Sequence, residues 1–236
     1  MASFEHIGNG RQNWSPYHRI PRHRHDCAYV AVVLSGTYEE CGSRGRFRAG
    51  PGDVLLHSAF DAHLDRFQKQ GAQILNLMVA SAAPASFSIG RVGDPDAIVR
   101  VAERDPIEAG IQLRAQLHEA RGALPDWPDL LATDLLRDPD CRLQTWASNH
   151  GLAAATISRG FGKVFGVTPA TFRMEVRTRC ALARITGGDE PLARIAAATG
   201  FADQAHMSRA TRALTGSPPS WWRRSNPFKT RRPPLA

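Results

Sequence analysis

Two segments of this chain copy each other, and that duplication limits the fold more than any other feature. In GLAAATISRGFGKVFGVTPATF (151–172) and GFADQAHMSRATRALTGSPPSWW (200–222), Ser158-Arg159 aligns with Ser208-Arg209 and Gly166 with Gly216. Pro169 likewise aligns with Pro219 and Phe172 with Trp222, each pair 50 residues apart. The leading glycines, Gly151 and Gly200, fall one residue out of that register because the turns after them differ in length. A small apolar helix precedes each copy: LQTWASNHG (143–151) and PLARIAAATG (191–200). Short helix, glycine turn, second helix is the helix-turn-helix arrangement, and the glycine supplies the left-handed turn residue. Asp203 stands where an N-cap is needed for the second copy's recognition helix.

Each recognition helix has an apolar side for a core, carried by Ile157 and Phe161 in one and by Met207 and Leu214 in the other. Ala155, Ser158, Arg159, Gly162 and Lys163 remain as outward candidates in the first copy. Gln204, Ala205, His206, Ser208, Arg209 and Arg212 are their counterparts in the second. An outward arginine can bond guanine or a phosphate, and a glutamine can read adenine. The alternative is that Arg159 and Arg209 brace their own motifs, and His206 can equally pack. Between the copies, TFRMEVRTRCALARIT (171–186) predicts a helix about 24 Å long at 1.5 Å per residue. Two motifs on such a spacer can enter successive major-groove segments roughly 34 Å apart.

The charge divides along the same line. Residues 141–236 hold 15 Lys and Arg against 4 Asp and Glu, a net of +11. Residues 1–140 hold 15 against 18, a net of −3, and together they make the chain's +8. A basic block of this kind suits phosphate contact. Cys27, Cys41, Cys141 and Cys180 show no CxxC spacing, which argues for reduced thiols rather than a zinc ribbon. The polar first 20 residues and the lack of a membrane-length apolar run predict a cytoplasmic, nucleoid-associated protein without a membrane partner.

The first 140 residues have another texture. Residues 1–20 read as irregular, and from about Tyr29 to Met78 short strands punctuated by glycine predict a small sandwich or barrel. In PRHRHD (21–26), His23 and His25 are two apart, so on a strand both face one way and can serve a metal. Helices are predicted over 96–104 and 106–121, with Ile98, Val101, Ile107, Ile111, Leu113 and Leu117 at helical spacing, and over 124–138. These helices can form a dimer interface or pack on their own domain. The expected division is 1–88 as a sensor domain, 89–140 as connecting or dimerisation helices and 141–236 as the DNA-binding domain. The basic tail FKTRRPPLA (228–236) reads as a flexible phosphate contact.

The run GF…Q.H.SR…R…G..P..W.R within 190–223, with 143–185 before it, resembles the AraC/XylS transcription regulators. Gly160 and Gly162 depart from that family's usual bulkier residues. HRHDCAYVAVVLSG (23–36) followed by GPGDVLLHSAFDAH (50–63) resembles the two halves of a cupin. On that resemblance His23, His25 and His63 match three histidine ligands, His57 is a further histidine, and the glutamate position falls on Tyr29 or Val30. Glu39, Glu40, Asp61 and Asp65 are expected to be solvated, and Tyr29 to donate a pocket hydrogen bond or to pack.

The fold implied is α+β in two domains: an N-terminal cupin-like β-barrel with connecting helices, and a C-terminal all-α domain with two helix-turn-helix motifs. The function implied is a promoter-binding, non-enzymatic regulator that senses a small molecule or metal, acts as a homodimer and contacts RNA polymerase. The cofactor expectation is a divalent ion (Zn, Fe, Mn or Ni). A vestigial site, and a metal-dependent cupin enzyme with a basic appendage, stand as alternatives.

Overall fold

The computed structural model describes residues 7–43, 45–79, 88–120 and 126–225. The tail 228–236 and nearly all of the 80–88 stretch lie outside them. The described chain is α+β, an antiparallel sheet followed by helices.

The strands are β1 (Gly10–Trp14), β2 (Arg19–Arg24), β3 (Tyr29–Gly42), β4 (Gly45–Ala49), β5 (Asp53–His57), β6 (Ala62–Met78), β7 (Ile89–Arg91) and β8 (His118–Glu119). Residues 1–20 are therefore not irregular throughout: β1 and the start of β2 pair with β6. Nor are all the strands short, because β3 and β6 run 14 and 17 residues side by side. Both bend near their middles. Gly36 and Gly71 sit at φ 73° and 65°, and a Cβ on Gly36 would lie 2.1 Å from the Gly71 carbonyl oxygen, so only glycine fits there. The register shifts on either side of Gly36 mark the same bend.

The bend divides the sheet. One half is β2, the start of β6, the end of β3 and β4; the other is β1, the end of β6, the start of β3, β5, β7 and β8. Among the described residues the ladder is open, not the closed barrel expected from the sequence, because no hydrogen bonds join the outer strands of the two halves. Tyr29, Ala31, Val33, Tyr38, Phe67 and Ile74 fill the space inside the fold of the sheet.

Helices α1 (Pro95–Ala102) and α2 (Pro106–Gln116) cover the outer face over Val30, Val32 and Leu75 through Ile98 and Leu113. Ile107 and Ile111 do not join that core. They are 74% and 59% exposed, because the buried side of α2 runs through Ala109, Gly110 and Leu113 instead. Leu117 ends α2, and the predicted continuation gives way to β8.

The remaining helices are α3 (Trp127–Arg137), α4 (Leu143–Asn149), α5 (Ala154–Phe165), α6 (Pro169–Gly187), α7 (Leu192–Ala198), α8 (Gln204–Thr215) and α9 (Pro219–Ser225). They build two cores. Leu131, Leu135, Trp146, Phe161, Phe165 and Phe172 form one, and Ile185, Ile195, Met207, Leu214 and Trp222 dominate the other. The sheet contributes Cys41 and Leu64 to the first and Phe60 to the second.

Candidate functional sites: a helix-turn-helix pair and a buried histidine cluster

The repeated residues occupy repeated structural positions. Gly151 and Gly200, at φ 63° and 75°, make the turns after α4 and α7. Gly166 and Gly216 close α5 and α8 in the left-handed region, donating to the carbonyls of Gly162 and Arg212. Pro169 and Pro219 open α6 and α9. The two recognition helices begin differently. The Asp203 carboxylate accepts the His206 N–H at 2.6 Å, whereas Ala153 offers α5 no side-chain cap.

Ile157, Phe161 and Phe165 bury one side of α5, and Met207, Thr211, Leu214 and Thr215 bury one side of α8. Ala155, Ser158, Arg159 and Lys163 are exposed on the first, and Gln204, Ala205, Arg209 and Arg212 on the second. Among the described residues no hydrogen bond or ion pair ties the side chains of Arg159 and Arg209 to their own motifs. Ser208 and His206 are half-buried, and the His206 ring meets Phe201 edge-on at 5.2 Å. Gly162 is half-buried, and a Cβ there would meet Val167 O at 3.9 Å, an ordinary contact, while Gly160 is the seat of Trp127: a Cβ there would lie 2.4 Å from the indole.

The histidines converge inside the folded sheet. The His23 ring lies 4.9 Å from His25 and 4.2 Å from His63, and the His57 ring 4.6 Å from His63. Tyr29 stacks on His57 at 4.2 Å, and its hydroxyl is 3.2 Å from His63 Nε2, so it both packs and hydrogen-bonds. Strand alternation placed them. His23, next to last in β2, faces inward, His57 ends β5, and His63 is the second residue of β6 with Asp65 and Phe67 on its own side. The cavity they line measures about 90 Å³.

The acidic neighbours are not solvated as the sequence suggested. Glu40, Asp61 and Asp65 are 6%, 5% and 6% exposed; only Glu39, half-buried, sits toward the surface. Glu40 shares the inner face of β3 with Tyr38, and its carboxylate lies 3.5 Å from His57 Nε2. Burial pushes the Glu40 carboxyl well up, and Asp65 beside it pushes the same way. Burial holds the His63 imidazole well below its ordinary value, with His57, His23, His25 and Arg22 adding to the effect. Two sets of donors lie within 4.8 Å of one another, His23 with His25 and His63, and Glu40 with His57 and His63.

The other face of this wall touches the helices. On β2, Arg22 and Arg24 alternate with His23 and donate to Phe165 O at 3.1 Å and Leu214 O at 3.4 Å, the last turns of α5 and α8. Arg22 also pairs with Glu175 of α6. On β6, Arg66 donates to Lys163 O at 2.6 Å and Val164 O at 3.1 Å. Arginines at helix C-termini meet the unsatisfied carbonyls and the negative end of the dipole. Between His57 and His63 the chain passes through Phe60, at φ 65°, whose N–H donates to His25 O and whose ring meets Trp222 at 5.4 Å. Asp61 pairs with Arg179 of α6. Sequence reasoning missed Glu40 and the arginine contacts, although the alternation in TYEE and PRHR carried both.

Comparison with known proteins is informative for the helical part. A family model described as a helix-turn-helix domain matches residues 146–225. No curated protein sequence matches the chain. Among solved structures, the C-terminal domain of AraT, a response regulator from Geobacillus stearothermophilus, is similar at 17% identity and TM-score 0.43. That match covers 48% of this chain and 95% of that one. Fatty acid-bound ToxT from Vibrio cholerae is similar at 10% identity and TM-score 0.39, over 92% of this chain and 96% of that one. A salicylate 1,2-dioxygenase from Pseudaminobacter salicylatoxidans shares 23% identity at TM-score 0.27, over 28% of this chain and 20% of that one. Scores this low carry no weight for function. The family match does: residues 146–225 form a helix-turn-helix domain, which supports a DNA-binding transcription regulator.

Proposed function

We propose that the chain is a transcription regulator that reads promoter DNA with α5 and α8 and senses a ligand, a small molecule or a metal ion, through the histidine cluster. One observation carries the link between the two activities. The wall formed by β2, β6 and β3 has the cluster on one face and the C-terminal turns of both recognition helices on the other. Those helices keep their N-terminal turns outward, the end by which a helix-turn-helix motif contacts base edges. A ligand that favours one arrangement of the wall therefore biases the helices behind it, provided its affinity differs between the two arrangements.

The reading assigns Arg159 and Arg209 to guanine or phosphate, Gln204 to adenine, and Lys163 and Arg212 to phosphate. Ala155, Ala205, Ser158 and Ser208 make the close contacts, and His206 steadies the start of α8. The partners are double-stranded operator DNA, RNA polymerase and a second copy of the chain, and the setting is the cytoplasm. An organic substrate argues differently: ligand pockets of roughly 300–1,000 Å³ are usual, while this cavity is about 90 Å³. That difference favours an ion or a very small ligand over a larger organic molecule.

The test is a binding-site selection from random duplexes, followed by anisotropy titration of the selected site with the full chain. Arg209→Ala is expected to lose about 1–3 kcal/mol of discrimination at one position while keeping its circular dichroism. Affinity should fall steeply with salt. Unchanged affinity and unchanged sequence preference in Arg209→Ala would remove α8 from the recognition surface.

A further inference from the structure

We infer that the cluster is a divalent transition-metal site whose carboxylate ligand is Glu40, with His57 as a donor beyond the trio His23, His25 and His63. The inference rests on the regulator reading and names the ligand class that reading leaves open. Four observations support it.

The first is convergence. Donor atoms of His23, His25 and His63 lie within 4.8 Å of one another, as do those of Glu40, His57 and His63, so His63 belongs to both sets. The second is an unmet bonding need. His63 is 3% exposed and its Nδ1 has no hydrogen-bond partner among the described residues. A buried ring nitrogen left this way is costly unless something coordinates it. The third is charge. Glu40 is buried on the inner face with its carboxylate 3.5 Å from His57 Nε2, and a buried carboxylate beside imidazoles can neutralise part of a cation's charge. The fourth is size. About 90 Å³ accommodates an ion with a few waters at roughly 30 Å³ each.

The donor chemistry narrows the ion. Four imidazoles and one carboxylate without a thiolate suit zinc, iron, manganese or nickel, whereas calcium and magnesium demand mostly oxygen. The glutamate that the linear cupin pattern lacks at Tyr29 or Val30 is supplied by β3, whose Glu40 faces His57 across the sheet interior at 3.5 Å. Restoring one negative charge offsets part of the ion's charge and strengthens its retention.

The experiment uses the chelator-treated full chain, titrated with Zn²⁺, Mn²⁺ and Ni²⁺ by calorimetry and with Co²⁺ by absorption spectroscopy. About one equivalent is expected, with a Co²⁺ spectrum free of thiolate charge transfer. Glu40→Gln, which keeps shape and removes charge, should weaken binding at least tenfold, and His57→Gln should do likewise. Wild-type affinity in both variants would overturn the ligand assignment, and no saturable binding of any of these ions would overturn the metal site. DNA affinity of the same samples is scored separately. Specific DNA binding without metal binding rejects this inference alone; metal binding without DNA binding rejects the regulator reading.

Discussion

At the scale of the residue, the two glycines that depart from the AraC/XylS pattern separate into different cases. A Cβ on Gly162 would make only an ordinary contact, with Val167 O at 3.9 Å, while Gly160 makes room for Trp127 at the start of α3. Alanine would improve the intrinsic helix propensity of α5 by about 1 kcal/mol. Its Cβ would also drive into the indole, and overpacking of that kind costs about 1–3 kcal/mol. We expect Gly160→Ala to lower the urea midpoint, and Trp127→Ala to abolish or reverse the effect of the glycine change. A stabilising Gly160→Ala in the wild-type background would contradict this packing. Glu40 teaches a similar lesson. The pair EE at 39–40 reads as solvated charge until the period of the strand is applied. Glu39 then faces Arg66 at 2.9 Å on the helix side, and Glu40 faces the histidines. The parity was legible, but which parity faced inward was not, because it depends on pairing with β6.

At the scale of the element, β2 has the clearest double role. Its outward arginines reach two recognition helices that are distant in sequence, and its inward histidine reaches the cluster. A hydrogen bond with a charged partner contributes about 1.5–3 kcal/mol. Arg22→Ala with Arg24→Ala should therefore loosen the last turns of α5 and α8, read as faster amide exchange at residues 163–166 and 213–217. Exchange unchanged from wild type would mean that the sheet does not hold these helices. The helical elements were largely legible in the sequence, since caps, glycine turns and the 50-residue repeat are local signals. The long, bent β3 and β6 were not. Their bends at Gly36 and Gly71 arise from the contact of two glycines 35 residues apart, which no local pattern displays. The exposed Ile107 and Ile111 misled for a related reason: Ala109 and Gly110 bring α2 close to the sheet, so the buried side of α2 follows small residues.

At the scale of the whole molecule, the sheet and the helix-turn-helix pair share packing. Cys41 and Leu64 from the sheet complete one helical core, and Phe60 joins the other. Arg46 of β4 adds a bidentate pair to Asp129 of α3 at 3.1 and 2.7 Å. A protein assembled this way cannot change the wall of β2, β6 and β3 without changing what the C-terminal turns of α5 and α8 rest on. No helix among the described residues is long and apolar enough to cross a membrane. The repeated helices and the histidines are separately legible in the sequence; the placement of the histidines and the C-terminal turns of α5 and α8 on opposite faces of one wall needed the fold.

The central claim is that the ligand state of the cluster alters how the paired motifs hold DNA. The direct measurement is a hydroxyl-radical footprint of the full chain on its selected site, at fixed salt, with a divalent ion present and after chelation. The account predicts protection of two adjacent major-groove segments about one helical turn apart, with the strength or extent of protection differing between the two conditions. The Glu40→Gln protein should give one footprint in both. A wild-type footprint identical with and without the ion, under conditions where the ion is shown to bind, would contradict it.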